Sequence, residues 1–153
     1  NPTAMTKIQT LAALPVNNTF VVEARFRPLT ELNMPFHQAT IVFHDLEFAI
    51  AKDQNHPVTV DDGSGKIVYM QKPSVAHTPC RVRCTCAWYY FASWYYNNRK
   101  GVLAGSMMPS YTRRTAPPPY GRPYVNAPPG MVNICKHLID LAVYLQQKRV
   151  IIP

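Results

Sequence analysis

The residues best equipped for chemistry are three thiols and an imidazole: Cys84 and Cys86 in "CTC", and Cys135 and His137 in "CKH". Residues 80–86, "CRVRCTC", alternate as a strand does. Val82, Cys84 and Cys86 then share one face, with Arg81, Arg83 and Thr85 on the other. Cys135 and His137 open the last apolar helix, where unpaired amides and the positive dipole end favour a thiolate. Two sulfurs from one element, plus a sulfur and a nitrogen from another, make the closed tetrahedral donor set of a structural zinc. No position is left for a water, so the expectation is one structural ion and no catalysis.

Disulfides are a poorer use of these residues. Cys80 and Cys84 in one strand lie about 13 Å apart at Cα, beyond the roughly 7 Å a bridge allows. Cys84 and Cys86 would close a very tight ring, so only a bridge from this cluster to Cys135 is geometrically open. Cys80 is left over and reads as a buried free thiol. A redox-sensing thiol cluster is a weaker alternative, which would need reversible zinc loss on oxidation. His37, His44, His56 and His77 are scattered without ligand spacing. "DDGSG" lacks the later glutamate of a calcium loop and reads as a turn. With no phosphate loop and no nucleophile paired to a base, the chain is expected not to be an enzyme and to have no small-molecule substrate.

The elements that must position the four ligands can be traced along the chain. The 153 residues suggest one domain spanning 1–153. Residues 1–17 look like an extended N-terminal arm closed by Pro15; the Asn1-Pro2 start suggests processing or trimming upstream. Residues 18–79 are the β-rich part. In "NTFVVEARFRP" Phe20, Val22, Ala24 and Phe26 fall on one face, the period of a half-buried strand. "ATIVFHDLEFAI" reads as a second strand, and "HPVTVDDGSGKIVYM" as a hairpin. Residues 80–153 form the zinc-binding part. There Trp88, Phe91, Ala92 and Tyr95 take the i, i+3, i+4, i+7 spacing of a helix stripe, expected to pack inward. The loop 109–130 is rich in proline and expected to be extended. "VNICKHLIDLAVYLQQKR" is the clearest helix, with Asn133 as cap, and His137, Leu141 and Leu145 in line beside Ile134, Leu138 and Ala142. The fold class expected is α+β: a small, mainly antiparallel sheet and two helices joined by the zinc site.

Charge divides unevenly along the chain. Residues 1–79 carry six basic and seven acidic side chains, while residues 80–153 carry ten basic ones and only Asp140 as an acid. A strongly basic half suits nucleic acid or an acidic partner surface. The residues expected to meet a partner are Arg81, Arg83, Trp94, Tyr96, Arg99, Arg113, Arg114 and Arg122, since aromatics and arginine dominate interface hot spots. No apolar run approaches the roughly 20 residues of a membrane span, so no membrane partner is expected.

The C-x-C … C-x-H pattern resembles the SWIM-type zinc finger. That likeness assigns the metal to Cys84, Cys86, Cys135 and His137. The 48 residues between Cys86 and Cys135 exceed the family's usual spacer. In this long form, "VRCTCAWYYFASWYYN" followed by "YTRR", a proline-rich loop and "PGMVNICKHL" is similar to virion structural proteins of tailed bacteriophages. The resemblance implies a non-enzymatic assembly protein, most plausibly in tail or baseplate, with capsid or neck as other positions. Its partners would be other virion proteins in a multi-copy particle assembled in the host cytoplasm. The alternative expectation is a nucleic-acid-binding SWIM-type module.

Overall fold

The computed structural model describes residues 3–28, 36–109 and 132–153. Seven strands form one mixed, mostly antiparallel sheet: β1 (Thr3–Leu14), β2 (Thr19–Pro28), β3 (His37–Phe43), β4 (Phe48–Ala49), β5 (Val58–Asp61), β6 (Ile67–Met70) and β7 (Cys80–Cys84). Their order is β4-β6-β5-β1-β2-β3-β7. Three helices follow β7: α1 (Ala87–Ala92), α2 (Trp94–Arg99) and α3 (Lys136–Gln147). The class is α+β, with the cysteine and histidine side chains bridging β7 and α3.

The alternation in β2 sets the core. Phe20, Val22, Ala24 and Phe26 are all fully buried, each large side chain contributing about 1.5–3 kcal/mol by leaving water. β3 pairs antiparallel with β2 and buries Ala39, Ile41 and Phe43 on the same side. β7 then pairs with β3, placing Cys84 opposite Ala39. α3 covers this face, with His137, Leu138, Leu141 and Leu145 turned inward onto the sheet.

The N-terminal segment is extended, as expected, but it is more than an arm. It forms β1, paired with β2 from Thr3↔Pro28 to Leu14↔Thr19, and a single parallel bridge joins Ala12 to Asp61 of β5. Two register shifts, between Met5 and Lys7 and between Ile8 and Thr10, break the two-residue period that would have marked a strand in the sequence. The sheet is therefore larger than the small one expected. A 3₁₀ turn at Pro15–Asn17 makes the β1–β2 connection, ending with Asn18 at φ 56°, a left-handed conformation asparagine tolerates.

"ATIVFHDLEFAI" is two strands, not one. The His44 amide donates to Pro79 O at 2.8 Å, Asp45 turns at φ 57°, and the Leu46 amide reaches Asn18 O at 3.0 Å. These bonds divert the chain between β3 and β4. The hairpin at Asp61–Gly65 forms as the sequence indicates. Asp61 Oδ1 accepts from the Gly63 amide at 2.7 Å, and Asp62 Oδ1 accepts from the Ser64 amide at 2.9 Å.

The aromatic helix departs from expectation in phase and continuity. It breaks at Ser93 (φ −123°, ψ −44°) into α1 and α2. Trp88 and Phe91 are about half exposed, while Tyr89, Ala92, Trp94 and Asn97 face the interior. The reason is polar. Tyr89 Oη donates to Val82 O at 2.9 Å, a bond that fixes which side of α1 turns to the sheet.

Candidate metal centre

Each of the four candidate ligands sits at the end of an element. Cys84 is the last residue of β7. Cys86, two residues on, is the N-cap of α1, and its Sγ accepts from the Tyr89 amide at 3.4 Å. Cys135 is the N-cap of α3 and His137 lies in the first turn of that helix. Asn133, the cap expected from the sequence, lies two residues too early and has another role, described below.

The four side chains are buried, each at most 5% exposed. Their donor atoms lie within 4.8 Å of one another. Cys84 Sγ is 3.6 Å from His137 Nδ1 and Cys135 Sγ is 3.9 Å from it. With metal–sulfur and metal–nitrogen bonds of about 2.3 and 2.0 Å, a tetrahedron has sulfur–nitrogen edges of about 3.6 Å. The observed separations fit that figure. His137 Nε2 is buried with no hydrogen-bond partner among the described residues. The His137 ring packs against Phe26 and His37, with centroids at 4.9 and 5.1 Å.

Electrostatics point the same way. Cys84 is pushed up from the usual thiol range by its hydrogen bonds with Cys135 and Cys86 and by burial. Cys86 is drawn down by hydrogen bonds from those same two thiols. At Cys135 the bond to Cys84 lowers the value, but the bond to Cys86 and burial outweigh it and push it up to about 11. Three thiols packed this closely thus disfavour joint ionisation. A divalent cation would let all three ionise, and the donor set suits an ion such as zinc.

A buried polar network holds the two ligand-bearing segments together. Asn97 Nδ2 donates to Asn133 O at 2.8 Å and to Tyr89 Oη at 2.9 Å, while the Asn133 amide donates to Asn97 Oδ1 at 2.7 Å. This joins α1 and α2 to the lead-in of α3, so Cys86 and Cys135 are fixed relative to each other without either touching Asn97. The sequence pattern does not single out this pair. The available signal was an asparagine pair, Asn97-Asn98, closing an aromatic run.

The residues expected to meet a partner are not one surface. Trp94 is a correction: it is 4% exposed and packs by Tyr90 and Tyr95, because the break at Ser93 rotates it inward. Arg83 is partly buried, and its Nη1 donates to Ala104 O and Ser106 O at 3.0 and 2.5 Å, tying the segment after α2 to β7. Arg81 and Arg99 are exposed, and Tyr96 is partly buried. Arg99 lies over the Tyr95 ring at 5.8 Å. Arg113, Arg114 and Arg122, with most of the loop 109–130, lie outside the described residues. Ile134, expected on the buried face, is 40% exposed. The cysteines are free thiols. Cys80, read as buried, is only partly so.

No protein-family model, no curated protein and no solved structure matches the chain.

Proposed function

We propose that this chain is a non-enzymatic structural protein whose fold is locked by one structural zinc, and that it serves in the assembly of a bacteriophage virion. The observation that carries the first half is the buried convergence of Cys84, Cys86, Cys135 and His137 from segments 48 residues apart. Four protein donors complete a tetrahedron, which suits a structural ion and leaves no position for a reacting water. The ion would neutralise the thiolates and cross-link β7 to α3. The chain's own residues do the rest: Asn97 and Asn133 set the spacing, and α3 shields the site from solvent.

The virion setting rests on the resemblance of "VRCTCAWYYFASWYYN" and "PGMVNICKHL" to tailed-phage structural proteins. Within that setting, tail or baseplate is the first position to examine. Two measurements test the two halves separately. Elemental analysis of protein purified without added zinc should give about one zinc per chain. Quantitative proteomics of purified particles should find the chain at fixed stoichiometry; its absence from particles would remove the virion reading while leaving the zinc site intact.

A second reading, a nucleic-acid-binding module, draws on the ten basic residues after residue 79 and on the exposure of Arg81, Arg99 and Trp88. It requires affinity that falls steeply with salt.

A further inference from the structure

We propose that the cleft beside Arg81 is a binding site for a small monocarboxylate with an apolar body. The cleft holds about 800 Å³, within the roughly 300–1,000 Å³ typical of small-ligand sites. It lies where the end of β3, the turn before β7, the segment after α2 and the lead-in to α3 meet. One wall is apolar: Val75, Val102, Val132 and Ile134. Val75 and Ile134 are 50% and 40% exposed, apolar surface that a ligand's body would cover. Arg81, His44 and His77 also line the cleft.

The polar groups favour a single negative charge. Arg81 is the permanent cation among the described lining residues and offers the bidentate geometry a carboxylate fits. Burial, and then the nearby Arg81 charge, hold His44 below the ordinary histidine range, leaving it a neutral hydrogen-bonding group. Burial pushes the Cys80 thiol up, so that wall carries no negative charge either. Asp45 is the one carboxylate among the described lining residues, and its presence disfavours a dianion. The walls are tied by backbone bonds that pre-form the space: His44 N to Pro79 O at 2.8 Å, Val75 N to Ile152 O at 2.9 Å, and Val82 N to Val102 O at 2.9 Å. This inference depends on neither the metal nor the virion setting.

Titration of the purified chain with 2-naphthoate, followed by calorimetry and saturation-transfer NMR, tests it. The expected dissociation constant is below about 1 mM. Arg81→Gln should weaken it at least about tenfold, the loss expected for one charge-assisted pair. Val75→Trp, which fills the cleft from an exposed position, should abolish binding. The cationic isostere 2-naphthylmethylamine should neither bind nor compete. The proposal is overturned by a folded wild type that ignores naphthoate at about 5 mM, by equal binding of the amine, or by binding that neither substitution changes. Melting temperatures of both variants confirm that the fold is intact, since both positions are exposed.

Discussion

At Cys135 a hydroxyl in place of the thiol would leave two sulfurs and a nitrogen for the ion. Cys135→Ser should therefore lose its zinc in elemental analysis and melt far below the wild type, because structural zinc contributes about 10–16 kcal/mol of apparent binding energy in peptides. The charge balance also fixes a pH dependence. Cys84 and Cys135 are shifted up and hold their protons at neutral pH, whereas Cys86 is shifted down. Loading an ion must then expel protons from Cys84 and Cys135, so zinc should bind at least about tenfold more weakly for each unit of acidification below neutrality. Competition with a chromophoric chelator across pH would read this; a flat profile would contradict the thiolate assignment. Asn97 acts differently, since it touches no ligand atom. Asn97→Ala removes the bonds to the Asn133 amide and carbonyl inside the protein, at a cost of about 2–4 kcal/mol. The melting temperature should fall while a zinc content of about one per chain persists wherever the protein remains folded.

The elements around the site differ in how they are held. β1, β2 and β3 are joined by long ladders and buried side chains, independent of any ion. α1 and α2 are six residues each, too short to persist alone, and depend on the Tyr89–Asn97–Asn133 network and on Cys86 at their entrance. Strong chelation should therefore raise amide hydrogen exchange first in residues 86–99 and in the opening turn of α3. The β2–β3 amides should stay protected longer. Uniform loss of protection across the chain would instead mean that the ion supports the whole fold as one cooperative unit.

For the molecule as a whole, the question is what its basic half meets. Two of the cations that could face phosphates are occupied: Arg83 by Ala104 and Ser106, and Lys100 by the Asn133 side chain at 3.3 Å. Among the described residues of that half, Arg81, Arg99, Lys136, Lys148 and Arg149 are exposed. On the assembly reading, binding to a single-stranded oligonucleotide at low salt should be weak and lose about tenfold or less between 50 and 200 mM salt. A loss of about a thousandfold, abolished by charge reversal at Arg81 and Arg99, would establish the nucleic-acid reading over the assembly one.

Local composition was enough to pick out the Cys84, Cys86, Cys135 and His137 group, the alternating β2 face, the Asp61–Gly65 turn and the inward line of His137, Leu141 and Leu145. In each, the deciding forces act within one element: side-chain period, dipole end, turn chemistry. Tertiary structure decided the rest. The N-terminal segment became a central strand because β2 offered its ladder, although the register shifts hide that period in the sequence. The aromatic run turned Tyr89 and Trp94 inward, against its own helical stripe, because Tyr89 bonds Val82 O and Ser93 breaks the helix. Asn97 met Asn133 across 36 residues of sequence. The cleft at Arg81 likewise exists only where four distant stretches converge. Contacts of that kind depend on which surfaces the folded chain brings within about 3 Å, a property no local period carries.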